Sequence, residues 1–228
     1  MKIDLLIFDC DGVLVDSEII SHRIGVYETA HFGDSITVEE SIKTFTGLPD
    51  DEINRLLKEK YGEKISDDFF HDLKSKTTAS YQDTLQPITN IHYVMQYLAA
   101  NKIRKCIASN ATPSQLNSSL AITRLDSYFK KEHIYSASMV KQGKPEPDLF
   151  LHAADQMKVK PKNCLVVEDS TTGIAAAKAA KMPVIGFLGG THAKYSWYKD
   201  MIKKTKPWEI ADDADALLNL LKKLIAKK

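Results

Sequence analysis

Four short, mostly apolar stretches punctuate the chain: Ile3–Phe8, Ile103–Ala108, Cys164–Val167 and Val184–Phe187. Runs of this length, without a clean apolar–polar alternation, read as strands buried on both faces of a parallel sheet. Helical spacing of apolar residues follows in Ile91–Ala100, Pro113–Leu120, Asp148–Met157 and Thr172–Ala180. Strand and helix in alternation predict a doubly wound α/β domain, a parallel sheet flanked by helices. The segment Asp212–Lys228 places Leu217, Leu218, Leu221, Leu224 and Ile225 on one face. It reads as a last helix packed on the sheet, its lysines forming a solvated edge rather than a membrane-binding one.

One region breaks the alternation. From Ser17 to about Leu85 the pattern is helical, with helices predicted over Ser17–His31, Asp50–Tyr61 and Asp67–Tyr81 and no clear strand. This predicts a helical domain inserted after the first strand, with Pro87 marking the return. The expected organisation is a core of residues 1–15 and 87–228 and an insertion of residues 16–86.

Composition narrows the function classes. With 43% hydrophobic and 27% charged residues the chain has the balance of a soluble globular protein. Thirty-one basic against 30 acidic residues leave a net charge of +1, which gives no support to a nucleic-acid or membrane partner. Trp197 and Trp208 flank a lysine-rich segment, but at this net charge surface packing is the better reading than base stacking. Cys10, Cys106 and Cys164 lie in or beside apolar runs and form no pair, so they read as buried and reduced. Without close Cys or His pairs a zinc site is disfavoured. The start is too acidic for a signal peptide, and no window nears the roughly 18 apolar residues of a membrane span. A cytoplasmic location is expected. With no long apolar surface stripe left unassigned, so is a monomer.

The chemistry sits at the ends of the apolar runs. The first ends in Asp9-Cys10-Asp11-Gly12, and the third in Glu168-Asp169-Ser170 followed by Gly173. Carboxylates at carboxyl ends of buried parallel strands lie where open α/β sheets bind ligands. Parallel strands bring these ends to one edge, so the two acidic pairs can converge. Their repulsion and desolvation must be offset by a cation or a substrate. Four converging carboxylates favour a hard cation with oxygen ligands, and magnesium fits. The bland alternative is two acidic turns. Ser109, at the end of the second run and before a helix start, offers backbone N–H groups to an anion, or is an ordinary cap. Lys144, between Gly143 and Pro145, would complete a phosphate cradle, or is an ordinary loop lysine.

Taken in order, these residues resemble the haloacid dehalogenase superfamily in its phosphatase branch. Asp9-x-Asp11-Gly12 with its Val-Asp-Ser-Glu tail is similar to the family's first motif and Ser109 to its second. Lys144 in Gly-Lys-Pro-x-Pro-Asp is similar to its third, and Glu168-Asp169 in Val-x-Glu-Asp-Ser-x-x-Gly to its fourth. The subfamily it looks most like contains β-phosphoglucomutase and small sugar-phosphate phosphatases. The resemblance implies a Rossmann-like core with a helical cap inserted after the first motif. It implies Asp9 as nucleophile, Asp11 as general acid and base, and Mg2+ held by Asp9, the Asp11 carbonyl, Asp169 and Glu168. It further implies Ser109, Lys144 and the N–H groups near Cys10 and Asn110 as holders of the phosphoryl oxygens. Thr46, Gly47 and Leu48, within Phe45–Asp50, resemble the cap loop that meets substrate.

The chain departs from the mutase here. Thr46 and Asp50 stand where basic residues would grip a second phosphate, and Ser21 falls at the mutase histidine, with His22 one step off. These departures favour hydrolysis of a small phosphorylated metabolite, a sugar or sugar-acid phosphate. A phosphomutase shares every core motif and stays the chief alternative. A nucleotide-binding α/β module would need a glycine-rich loop after the first strand, where only Gly12 stands. His192, after Gly189-Gly190-Thr191, lies in a loop from which it could approach the rim of the site; a solvated loop histidine is the expected reading.

Overall fold

The computed structural model describes residues 2–33, 35–48 and 50–225. Six strands form one parallel sheet: β1 (Leu5–Phe8), β2 (Lys105–Ser109), β3 (Ile134–Ser136), β4 (Cys164–Glu168), β5 (Val184–Phe187) and β6 (Glu209–Ala211). The order is β3-β2-β1-β4-β5-β6. The chain therefore winds outward in one direction from β1, then in the other from β4. The crevice between those two strands is the topological switch point.

Four of these strands are the four apolar runs. Every residue of β1, β4 and β5 is buried, as a strand covered on both faces requires. The three-residue edge strands β3 and β6 were not expected, being too short to carry a periodic signal.

The helices follow as α1 (Glu18–Ala30), α2 (Val38–Phe45), α3 (Asp50–Tyr61), α4 (Asp67–Thr84), α5 (Ile91–Ala100), α6 (Pro113–Ile122), α7 (Asp148–Gln156), α8 (Thr171–Ala179), α9 (Ser196–Lys204) and α10 (Ala214–Ile225). Helix α7 packs on β1, β2 and β3, α8 on β4 and β5, and α10 on β6 and α5. Burying the four side chains of β1 alone is worth at most about 1.5–3 kcal/mol each. The expected end of the last helix, beyond Ile225, lies outside the described residues, as does Pro49.

Helices α1 to α4 come between β1 and α5, with α1 packed on α2 and α4. The chain leaves and returns side by side: the Asp16 N–H donates to Gln86 O at 2.9 Å and the Ile88 N–H to Leu14 O at 2.9 Å. Val15 thus pairs antiparallel with Pro87. Helix α2, not expected, is set by a capping box in which Thr37 and Glu40 satisfy each other's backbone N–H groups.

Candidate active site

Asp9 directly follows β1, Ser109 ends β2, and Glu168 and Asp169 end and follow β4. Register puts Phe8 beside Val167 and Ile107, so the four side chains emerge at one edge of the switch point. Lys144 enters from the loop before α7. Asn110, after β2, clamps its backbone: the Lys144 N–H donates to Asn110 Oδ1 at 2.9 Å and Asn110 Nδ2 to the Lys144 carbonyl at 3.2 Å. The Asn110 side chain is therefore spent on placing Lys144. Gly143 permits this approach, since a Cβ there would lie 2.7 Å from Asn110 Oδ1.

Lys144 Nζ donates to Glu168 Oε1 at 2.7 Å and lies 2.8 Å from Asp9 Oδ1. The second contact is poorly aligned, which leaves Asp9 Oδ1 a buried oxygen without a hydrogen bond despite its ion-pair distance. Glu168 Oε2 accepts from the N–H and hydroxyl of Ser170 at 2.8 and 3.0 Å. Asp11 is turned to hydroxyls: Ser17 donates to its Oδ1 at 2.6 Å and Ser109 to its Oδ2 at 3.4 Å.

Burial drives the Asp9 carboxyl well above its ordinary value; Lys144 opposes this, while Glu168, Asp169 and Asp11 add to it. Asp169 is raised for the same first reason, with Glu168 pushing further. Burial would raise Glu168 too, but the charge and hydrogen bonds of Lys144 and the bonds from Ser170 hold it below the usual range. Lys144 itself is held above the ordinary lysine value, because Asp9 and Glu168 outweigh its burial.

The Lys144 ammonium thus pairs with Asp9 and Glu168, and the carboxylate oxygens of Asp9, Glu168 and Asp169 lie within 4.8 Å of one another. An acidic oxygen set of this size, with Asp9 Oδ1 lacking an aligned donor, fits a hard divalent cation. Asp11 points its carboxylate elsewhere.

A family model described as haloacid dehalogenase-like hydrolase matches residues 6–187. The chain belongs to this family. It is a phosphoric monoester hydrolase of this family. It is 29% identical over 194 residues to the 6-phosphogluconate phosphatase of Escherichia coli, covering 85% of this chain and 86% of that protein. It is 27% identical to the fructose-1-phosphate phosphatase of the same organism, covering 79% and 94%. Among solved structures, a haloacid dehalogenase-like protein of unknown function from Agrobacterium tumefaciens superposes with TM-score 0.88 at 32% identity, over 98% of this chain and 99% of that one. A family hydrolase from Deinococcus radiodurans, solved with bound phosphate and sodium, gives 0.81 at 29% identity, over 97% and 96%.

In this haloacid dehalogenase-like hydrolase the acidic edge floors a cavity of about 810 Å3 roofed by α1 to α4. Thr46, Gly47 and Leu48 line it. Gly47, at φ +80°, reaches the first turn of α8: a Cβ there would lie 3.3 Å from Thr172 Oγ1. The Asp50 side chain is outside the described residues.

Two histidines were missed or misplaced. His22 is buried, with Nδ1 2.9 Å from Ser41 Oγ and Nε2 3.0 Å from Thr46 Oγ1, so it ties α1 to α2 and to the loop. Burial, then His192, lowers its pKa to about 4, so the ring is neutral. In the sequence it stood out only as lying one step from the position of the mutase histidine. His192, expected in solvent, is fully buried, and its Nε2 lies 3.0 Å from Asp169 Oδ2. The loop folds inward because Thr191 donates to Asp16 through its N–H, at 2.8 Å, and through its hydroxyl. Trp197 packs at the surface, stacked on Tyr195 and donating to Glu39 Oε1 at 2.7 Å. All three cysteines are free and buried.

Proposed function

We propose that the protein is a magnesium-dependent phosphatase of small phosphorylated metabolites, sugar or sugar-acid phosphates, working through an aspartyl phosphate on Asp9. The carrying observation is the Asp9–Lys144–Glu168–Asp169 cluster on the floor of a cavity lined by many hydroxyls and open to solvent. Phosphate bound in the Deinococcus relative and the activities named for the Escherichia coli relatives support the same reading.

Asp9, Asp169 and Glu168 would hold the cation, with Asp11 through its backbone carbonyl. When bound, it would neutralise the carboxylates and polarise a phosphoryl oxygen. Lys144 fixes Asp9 on one side and, with Ser109 and the N–H groups near Cys10 and Asn110, receives the phosphoryl oxygens. An Asp9 oxygen attacks phosphorus as the bond to the leaving oxygen breaks. Asp11, steadied by Ser17 and Ser109, delivers a proton to that oxygen. It then takes one from the water that cleaves the aspartyl phosphate, restoring Asp9. Both Glu168 oxygens accept from Lys144 and Ser170, so it would support the cation directly or through water while it holds Lys144.

Core residues 1–15 and 87–228 and cap residues 16–86 would move as units about the paired Asp16 and Gln86 strands, closing over substrate. The cap wall supplies Ser21, Asn54, Lys74, Thr77 and Thr78 to a polyol. A monomer in the cytoplasm is part of this reading. No described helix is long and apolar enough to cross a membrane.

Purified protein should release phosphate from sugar phosphates with Mg2+ and lose that activity with a chelator. Asp9→Asn should lower turnover by at least about 10^3-fold with the fold intact. Chelator-insensitive release, or an active Asp9→Asn, overturns the reading. Conversion of β-glucose 1-phosphate to the 6-phosphate without release would make it a mutase.

A further inference from the structure

We infer that the loop after β5 belongs to the active site and that His192 is a positioning residue that holds Asp169 in place to bind the cation. The inference rests on the reading of Asp169 as a metal ligand and assigns a further role to this chain's own imidazole.

The contact is built rather than incidental. His192 is fully buried, in a loop between a strand and a helix, where polar side chains ordinarily face water. Its Nε2 is 3.0 Å from Asp169 Oδ2, yet neither ring nitrogen has an aligned hydrogen bond. Burying an imidazole with both nitrogens unmatched is costly, so the position needs a compensating partner. Asp169 is the acidic group it touches.

Two glycines clear the space where they meet. A Cβ on Gly12 would lie 1.9 Å from Asp169 Oδ2 and 2.9 Å from His192 Cε1. A Cβ on Gly190 would lie 2.6 Å from His192 Nδ1 and 2.6 Å from its Cε1. Tyr198 closes the far side, its ring 5.0 Å from the imidazole and edge-on, its hydroxyl donating to the Asp169 carbonyl at 3.3 Å. The loop is anchored by Thr191 on Asp16, where the chain enters the helical insertion. One loop therefore touches both the insertion's stalk and the carboxylate proposed to hold the cation.

The tautomer follows from the contact. In a neutral ring with its proton on Nε2, the N–H dipole sits 3.0 Å from Asp169 Oδ2, off the line of a hydrogen bond, and the contact attracts. With the proton on Nδ1, a lone pair would face an anionic oxygen. Groups behind a metal's direct ligands fix ligand orientation, and losing one typically costs 10–100-fold in metal affinity.

The test uses the full-length protein and two readouts besides turnover. Nitrogen-15 NMR of histidine-labelled wild type reports the tautomer, with the proton expected on Nε2. Titration with Mn2+, followed by electron paramagnetic resonance, reports affinity. His192→Leu should weaken Mn2+ about 10–100-fold, and His192→Gln, whose amide nitrogen reaches the Nε2 position, should recover most of the loss. His192→Leu binding within about twofold of wild type, or a proton on Nδ1, overturns the inference. If His192→Leu does not fold, the wild-type tautomer and His192→Gln decide. A wild type that binds no Mn2+ defeats the metal-site reading itself, and the inference with it, an outcome distinct from equal binding by wild type and variant.

Discussion

Gly173 and Glu168 occupy the same space: a Cβ on Gly173 would lie 1.7 Å from Glu168 Oε1 and 2.0 Å from its Cδ. Glu168 is folded against the first turn of α8, accepting from Ser170 and from Lys144. The helix can pass this close only because residue 173 has no side chain. Gly173→Ala should expel Glu168 and free Lys144. Overpacking of this kind costs about 1–3 kcal/mol, and about 2–4 °C of Tm follows each kcal/mol in a chain this size. Turnover should fall more than about tenfold, since Lys144 loses a partner that fixes it. Calorimetry and a phosphate-release assay check both. An alanine variant with wild-type Tm and rate would contradict the packing.

Lys144 joins stability to chemistry. Replacing it with methionine leaves Glu168 and Asp9 buried without their cation, a loss of about 3–5 kcal/mol at neutral pH. The sign with pH follows from Glu168, whose folded pKa lies below its ordinary 4.5 chiefly because Lys144 outweighs its burial. Its contribution is present above that ordinary value and disappears as pH falls through the lowered folded one. The deficit of Lys144→Met against wild type should therefore be largest near pH 7 and shrink in acid. Urea denaturation at pH 7 and below pH 4.5 measures it. A deficit constant with pH would refute the pairing.

These effects show what the sequence could and could not disclose. The four buried strands announced themselves because a strand covered on both faces must be apolar throughout. The acidic pairs stood out because carboxylates beside such runs are costly. The edge strands β3 and β6 left no trace, since three residues make no period. His192 was misjudged because the glycines around it read as a solvent-exposed turn, whereas they clear room for a buried ring. His22 sits one residue from the position expected for a histidine, and its tie to Thr46 spans 24 positions, beyond any local pattern. The grip of the Asn110 side chain on the backbone of Lys144, 34 positions on, left no local signal either.

Glu18, where the chain enters α1, gives a prediction of opposite sign. Burial first, opposed by His192 and reinforced by Asp169, Asp11 and Asp9, raises its pKa from 4.5 to about 8. Between those values the folded protein keeps a proton that the unfolded chain has released. Stability therefore falls as pH rises from about 5 to 8 and levels off above. Glu18→Gln removes that slope. The variant should match wild type near pH 5 and exceed it at pH 8 by at least about 2 °C in Tm. Melting curves across this range decide it. A variant that melts below wild type at pH 8 would place a needed carboxylate at Glu18.

Lys74 offers a way to separate sugar acids from neutral sugars. It lines the cavity from α4, alongside Thr77 and Thr78. A substrate whose phosphate sits at Asp9 would direct its far end to the cap wall. There an ammonium favours a carboxylate over a hydroxyl. The side chain is exposed, so its pairing with a substrate carboxylate is worth no more than about 1 kcal/mol, or roughly fivefold. Lys74→Gln should lower kcat/KM for 6-phosphogluconate by about that factor and change glucose 6-phosphate less than about twofold. The loss should fall on KM, because Lys74 touches no reacting atom. Equal losses on both substrates would mean that Lys74 shapes the cap rather than reading the acid. No loss on either would place the far end of the substrate against other residues of the wall.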